Sequence, residues 1–191
     1  MPNPYPFNDR RYDLVLSYVL SKTDLTLDVF GMVKLHAMVD ALHVIETGRP
    51  MIGGQFEAWK DGPVARPAYA RANRILEELE SADLFHVLKM AGPHPLVSLN
   101  AAHQIDLDEF SRSELEAMNQ AAKFFVEHED FGSRYDFFHD PNQFMGFAWT
   151  MARKEDRPLS WLEVIEAYER QFRKQQPVAK LAVSAMNDNG E

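Results

Sequence analysis

The sequence predicts a mainly α-helical fold, a single compact helical domain that carries one small β-hairpin. Apolar residues recur at helical spacing over most of the 191 residues, which is typical of helices with one buried face. Only two short segments, 84–90 and 96–99, have the composition of paired strands. Strands and helices do not alternate, so the pattern excludes a parallel, Rossmann-like sheet. A chain of this length buries a core large enough to fold as one domain.

Two helices are predicted in the first fifty residues. Residues 11–21 carry one apolar stripe at helical spacing. A longer helix follows Thr26, the predicted N-cap, and runs to about Thr47, with Asp28 in its first turn. Gly48 then occupies the position at which helices commonly end in the left-handed conformation. We therefore expect a long second helix with defined ends.

The next segment is predicted to be short and irregular. Residues 55–60 read as a short extended piece, and residues 61–63 (Asp-Gly-Pro) read as a turn. Pro67 suits the first turn of a third helix. The two predicted strands follow, and the Gly-Pro-rich residues 92–95 between them predict the hairpin.

Capping-box spacing predicts two further helix starts. Ser111 is followed by Glu114, and Ser160 is followed by Glu163, each at the distance that lets the two side chains cap the helix reciprocally. The aromatic-rich residues 131–149 between them are predicted to be mostly helical and buried.

The predicted domain organisation has three parts. Residues 1–10 form an irregular N-terminal arm, residues 11–176 form the domain, and residues 177–191 form a flexible tail, because Pro177 is predicted to end the last helix.

Composition limits the classes of function. The net charge is −9, from 20 basic and 29 acidic side chains, so the chain as a whole repels nucleic acid and anionic membranes. This charge serves either solubility or a basic protein partner. The absence of Cys excludes disulfides and a Cys nucleophile. No signal-peptide pattern is present, and no segment approaches the roughly 18 apolar residues of a membrane span. We expect a cytoplasmic protein.

One stripe of the second helix combines ligand-type side chains. His36, Asp40 and His43 follow each other at helical spacing, which would suit a metal ion. The general base that a zinc hydrolase motif carries between its two histidines is missing. We therefore expect a polar stripe that faces solvent or a partner, and keep a metal-dependent hydrolase as an alternative. For His139 the sequence also favours a structural role. We expect it to lie at the end of a helix rather than to form an acid–base pair with Asp140.

The segment around Trp59 is the most distinctive in the chain. Trp59 stands between charged residues, and Lys60 and Asp61 lead directly into Gly62 and Pro63. Trp is frequent both in cores and at the centres of protein interfaces. The charges and the turn indicate a surface position, so Trp59 is either a structural anchor or a partner contact.

These residues resemble the Panacea domain of the SocA-type antitoxin family. The resemblance lies in the Lys34-Leu35 pair, in residues 48–51 (Gly-Arg-Pro-Met), in residues 57–64 (Glu-Ala-Trp-Lys-Asp-Gly-Pro-Val) and in Tyr69. It extends over about residues 10–165 in the order of elements. The chain departs from the family pattern in its long helix, where Ala37, Asp40 and Ala41 replace a second Lys and aromatic residues.

The resemblance implies an antitoxin without enzymatic activity or cofactor. Such proteins occur in bacterial and phage toxin–antitoxin operons, which implies a role in phage defence. The implied partner is a cognate protein toxin encoded in the same operon, neutralised by direct binding. From the residues themselves, we expect the contact to include Trp59, Lys60, Asp61 and the His36–Asp40–His43 stripe. A proteolytic adaptor, with a cellular protease as second partner, is the alternative within the family. Direct nucleic-acid or membrane binding is not expected.

Overall fold

The computed structural model describes residues 5–77, 83–88, 94–100, 104–173 and 176–188. Within these residues the chain forms eight α-helices and two antiparallel strand pairs, so the predicted mainly α fold is confirmed. The elements in chain order are α1 (Asp9–Thr23), α2 (Val29–Thr47), β1 (Phe56–Trp59), β2 (Gly62–Ala65), α3 (Arg66–Leu76), β3 (Phe85–Leu88), β4 (Leu96–Leu99), a 3₁₀ helix (Leu107–Glu109), α4 (Arg112–Glu127), α5 (Phe131–His139), α6 (Phe144–Glu155), α7 (Trp161–Phe172) and α8 (Pro177–Asp188).

Helix α2 lies at the centre of the fold. Fourteen of its 19 residues are buried, and α3, α4, α7, α8 and β2 pack around it. A helix that is apolar on almost every side belongs in the interior rather than at a surface. Its N-cap is Asp28, which accepts a hydrogen bond from the Gly31 amide at 2.7 Å, so the prediction of Thr26 as the cap is wrong. Gly48 ends the helix with φ 78°, as predicted.

A second strand pair, β1–β2, was not predicted. Residues 56–59 are extended as expected, but Gly62 and Pro63 already belong to β2, and the turn consists of Lys60 and Asp61. Pro63 lies opposite Ala58 in the register. Proline is accepted on an edge strand because its missing N–H removes no ladder hydrogen bond that the sheet needs.

The predicted hairpin near residue 90 is confirmed as the antiparallel pair β3–β4. Phe85 lies opposite Leu99, and Leu88 lies opposite Leu96. Val97 also forms a bridge with Leu27, in the loop before α2, so this pair is tied to the main body of the fold. The prediction for the joining residues falls largely outside the described residues.

The chain ends are more helical than predicted. Asn8 caps α1 by accepting from the Arg11 amide, so the helix begins at Asp9, within the predicted arm. Pro177 begins α8 where a flexible tail was expected. Helix α8 packs on α2 and α7, and a Cβ on Gly48 would lie 2.4 Å from the Ala182 Cβ. Contact with the end of α2 explains a helix that periodicity alone did not indicate.

The two predicted capping boxes have different outcomes. At Ser111 both hydrogen bonds with Glu114 are present, so this prediction is confirmed. Ser160 is the N-cap of α7, but its side chain makes no capping hydrogen bond. Glu163 instead accepts from the Arg157 guanidinium at 2.5 Å. The charged partner competes successfully with the backbone N–H for this carboxylate.

Candidate functional site

The turn between β1 and β2 presents the three residues that the sequence singled out. Lys60 and Asp61 are exposed, and Trp59 is half-buried. The Trp59 indole N–H donates to Glu57 Oε2 at 2.8 Å, and its ring centroid lies 5.4 Å from that of Tyr69. The Trp59 carbonyl accepts from the Trp149 indole at 2.9 Å. Trp59 is therefore held in one orientation at the surface while part of its ring stays accessible.

A groove of about 550 Å³ runs beside this turn. One wall is β1 with Glu57, Ala58 and Trp59. The other is the end of α6 and the segment after it, with Ala152, Arg153, Asp156, Arg157 and Pro158. The Arg66 guanidinium lies 5.6 Å from the Trp59 ring centroid on the hairpin side, and it is paired with Glu57. The groove is thus mixed in charge and open to solvent.

Beneath the turn lies a lysine that has no carboxylate in hydrogen-bonding contact within the described part of the chain. Lys34 of α2 is fully buried, and its Nζ donates to the Pro63 carbonyl at 3.1 Å. The Nζ also faces the rings of Phe30 and Phe138, at 5.1 and 5.5 Å from their centroids. Burial lowers the pKa of Lys34 to about 7, and the nearby Asp61 opposes this shift. A charged ammonium is costly in such surroundings unless it is paired.

Gly62 makes room for this lysine. A Cβ at this position would lie 2.6 Å from the Lys34 Nζ and 3.4 Å from the His139 Cε1, and the backbone has φ 99°. Both the space and the conformation favour glycine. The Asp-Gly-Pro sequence therefore encodes a close passage of β2 over the end of a buried side chain.

His139 joins the end of α5 to the same turn. Its Nδ1 lies 2.6 Å from the Tyr135 carbonyl and its Nε2 lies 3.2 Å from the Lys60 carbonyl. Each ring nitrogen of His139 therefore faces a carbonyl oxygen, which is an acceptor. The ring also stacks on Tyr135 with centroids 3.7 Å apart. As predicted, His139 ends a helix, and it also orients the β1–β2 turn.

The predicted exposed stripe on α2 is wrong, because its side chains point into the fold. His36, Asp40 and His43 are 1%, 0% and 3% exposed. Packing buries 14 of the 19 residues of α2, and these three are among them. These three side chains hold neighbouring segments in place and do not form a surface that a partner could reach.

Asp40 anchors the loop that follows α2. Its Oδ1 accepts from the amides of Met51 and Ile52 at 2.9 and 2.7 Å, and its Oδ2 accepts from the amide of Gly53 at 2.9 Å. The His36 Nε2 lies 3.1 Å from Oδ2 and 2.9 Å from the Gly53 carbonyl, and therefore carries its proton there. The loop before β1 thus folds around one buried carboxylate.

His43 fastens two other segments. Its Nδ1 lies 2.8 Å from the Arg49 carbonyl, and its Nε2 lies 3.3 Å from the Ser113 hydroxyl of α4. Across the described ranges 5–77, 83–88, 94–100, 104–173 and 176–188, no group of three or more His, Asp or Glu side chains is arranged to hold a metal ion. His36 and Asp40 are bonded to the backbone of the loop before β1, and His43 is bonded to the Arg49 carbonyl and the Ser113 hydroxyl.

Sequence reasoning missed the role of Lys34. Its position between Val33 and Leu35, inside the most apolar helix of the chain, was the available signal. A charged residue surrounded by apolar neighbours on every side of a helix has to be buried.

None of the helices in the described part of the chain combines the length and the apolar character that crossing a bilayer requires.

Comparison with known proteins gives one family. No curated protein and no solved structure matches the chain significantly. The model of the family described as "Antitoxin SocA-like, Panacea domain" matches residues 32–140, which is more than half of the chain. The matched region runs from α2 to the end of α5 and so contains Lys34, the Asp40-anchored loop and the β1–β2 turn. The chain therefore belongs to the SocA-like antitoxin family and carries its Panacea domain, which gives it a role related to toxin–antitoxin systems.

Proposed function

We propose that the protein is an antitoxin that silences one toxin, encoded in the same operon, by binding it directly in the cytoplasm. The contact is the turn between β1 and β2, with Trp59, Lys60 and Asp61. Family membership supports the class of function, and the geometry of the turn supports this location. In this proposal, binding alone inactivates the toxin, and neither a cofactor nor nucleic acid takes part.

The observation that carries the proposal is the fixed, partly exposed Trp59. Interface energy concentrates in a few large side chains, among which Trp is enriched. The bond to Glu57 and the Tyr69 contact hold its ring in place before any partner arrives. A side chain that is already ordered loses less conformational entropy on binding.

Charge supports the choice of partner. The chain has a net charge of −9, which speeds encounter with a basic protein and disfavours nucleic acid. Toxins that act on nucleotides or RNA need basic surfaces for their substrates. An acidic protein seated on such a surface would compete with the substrate for the same contacts.

The first test is co-expression with the product of the adjacent open reading frame. Growth arrest by that product alone, rescue by co-expression and recovery of a stable complex are the expected results. Rescue with loss of the toxin in a protease-dependent way, and no stable complex, would instead identify a proteolytic adaptor. Rescue that requires turnover of a metabolite would identify an enzyme.

The second test is Trp59→Ala. Because the ring is partly exposed, we expect the variant to remain folded by circular dichroism and to lose neutralisation. Trp59→Phe keeps the ring contact with Tyr69 and should retain most of the activity. If Trp59→Ala unfolds the protein, Trp59 is a structural anchor. If the variant folds and still neutralises, the toxin binds elsewhere.

A further inference from the structure

One side of α5 carries a row of accessible rings. Phe131, Tyr135 and His139 are spaced four residues apart, with consecutive centroid distances of 5.8 and 3.7 Å. Phe30 of α2 extends the row, at 4.5 Å from Phe131. Phe131 is 53% exposed, and the other three rings are partly exposed. We call these four residues the α5 aromatic row.

Three carboxylates that make no ion pair among the described residues adjoin this row: Glu129 precedes Phe131 by two residues, Asp136 follows Tyr135, and Asp61 follows Lys60, whose carbonyl contacts His139. Glu129, Asp136 and Asp61 are exposed, and in the described part of the chain none of them has a Lys or Arg nitrogen within 4.0 Å. Further carboxylates nearby serve as helix or turn caps: Asp28, Asp130 and Asp140. The row therefore lies in a negative local field.

The cations near the row do not cancel this field. Lys34 lies beneath Phe30 and is fully buried. Arg134 is also buried, with its guanidinium 5.4 Å from the Phe125 ring centroid, and it faces Asp28, Glu129 and Asp130 only at longer range. Lys60 and Arg153, which stacks on Trp149, lie at the His139 end. Among the residues that adjoin Phe131 and Tyr135 in the chain, the exposed charged ones, Glu129, Asp130 and Asp136, are all acidic.

We infer that the α5 aromatic row and its flanking carboxylates form a docking surface for a cationic protein segment that carries Lys and Arg side chains. Guanidinium and ammonium groups are attracted both to ring faces and to unpaired carboxylates. Nucleic acid is repelled by the same charges, and so is a second copy of this chain, with its net charge of −9. The inference rests on the proposed function and deepens it, because it assigns the chemistry of the toxin segment that is bound.

The row also extends the contact beyond the β1–β2 turn. His139 bonds to the Lys60 carbonyl, and its ring lies 4.4 Å from the Trp149 ring, which donates to Trp59. The aromatic surface thus continues from Phe131 to Trp59. One partner that covers both ends would bury a continuous aromatic strip. The rigid β1–β2 turn would hold the partner at one end, and the carboxylates beside α5 would favour a cationic partner at the other.

A direct test needs no toxin. A short oligo-arginine peptide is titrated into the full-length protein, and amide shifts are followed by NMR. The expected shifts cluster at α5, at Phe30 and at the β1–β2 turn, and they are reduced at least threefold by Phe131→Ala together with Asp136→Lys. Shifts spread evenly over all acidic surfaces, or shifts that the double variant leaves unchanged, would overturn the inference.

Matched variants test the same surface in the complex with the adjacent gene product. Phe131→Ala is compared with Phe172→Ala, since Phe172 of α7 is 52% exposed, and Asp136→Lys is compared with Glu116→Lys on α4. We expect about tenfold weaker binding for each α5 variant and less than twofold change for its control. Equal effects of variant and control would overturn the docking surface and leave direct neutralisation standing. If the wild-type protein fails to bind the gene product, the proposed function fails, while the peptide titration still decides the inference.

Discussion

Replacing Asp40 by Asn would change one oxygen of a buried carboxylate that accepts four hydrogen bonds. The amides of Met51 and Ile52 share Oδ1, while the Gly53 amide and the His36 Nε2 share Oδ2. An Asn side chain keeps one acceptor oxygen and replaces the other by an NH₂ group, which only donates. If the Asn oxygen takes the Oδ1 position, its NH₂ group takes the Oδ2 position. This donor would then face two other donors, the Gly53 amide and the His36 Nε2.

The magnitude follows from these contacts. Two hydrogen bonds to a charged acceptor are lost, each worth about 1.5–3 kcal/mol, and the buried Gly53 N–H is left without an acceptor. Relaxation of the loop recovers part of this loss, so we expect Asp40→Asn to lower the free energy of unfolding by about 3–4 kcal/mol. That is a large fraction of the roughly 5–15 kcal/mol that stabilises a typical domain.

The assay is urea unfolding near neutral pH, followed by tryptophan fluorescence and circular dichroism. Asp24→Asn is the matched control, because Asp24 is exposed in the left-handed conformation, which Asn also adopts readily. The control should change stability by less than about 0.5 kcal/mol. A value for Asp40→Asn within about 1 kcal/mol of the wild type would refute the reasoning, because it would show that the carboxylate does not hold the loop.

Three further predictions concern other parts of the fold. The unfolded chain retains the Lys34 proton up to about pH 10.5, whereas the folded protein releases it near pH 7. The free energy of unfolding of the wild type should therefore rise between these pH values relative to that of Lys34→Met, by up to about 1.4 kcal/mol per pH unit. Parallel pH profiles of the two proteins in urea unfolding would contradict this. In Gly146→Ala the new Cβ would lie 2.1 Å from the Asp140 carbonyl oxygen, and we expect a loss of about 3 kcal/mol. Gly132→Ala, at an exposed position of α5 where the new Cβ would lie 3.1 Å from the Asp130 Oδ1, should cost less than about 1 kcal/mol in the same thermal melt. Ser111→Ala removes a complete capping box and should cost about 1 kcal/mol by thermal unfolding; an unchanged midpoint would show that water replaces the cap.

The candidate site shows where reasoning from sequence succeeds. The segment around Trp59 contains a Trp, charges and a Gly-Pro pair that no generic helix or strand requires, so its surface position could be inferred from the residues alone. Its role as a partner contact stays a prediction. The polar residues of α2 could not be placed in this way. Their spacing defines a stripe, but spacing does not reveal whether other elements cover that stripe, and here α3, α4, α7, α8 and β2 cover the helix.

The sequence by itself determined the helical class, the ends of α2 at Gly48 and of α5 at His139, the Ser111 cap and the family, because each depends on residues close together in the chain. Only the tertiary structure decided that Asp40 holds the loop before β1, that Glu163 binds Arg157 instead of capping α7, and that α8 forms against Gly48. It also placed Lys34 beneath the β1–β2 turn and aligned Phe30 with the rings of α5. These outcomes depend on which groups the packing of the elements brings together as donor and acceptor or as apolar neighbours. Local periodicity carries no information about that packing.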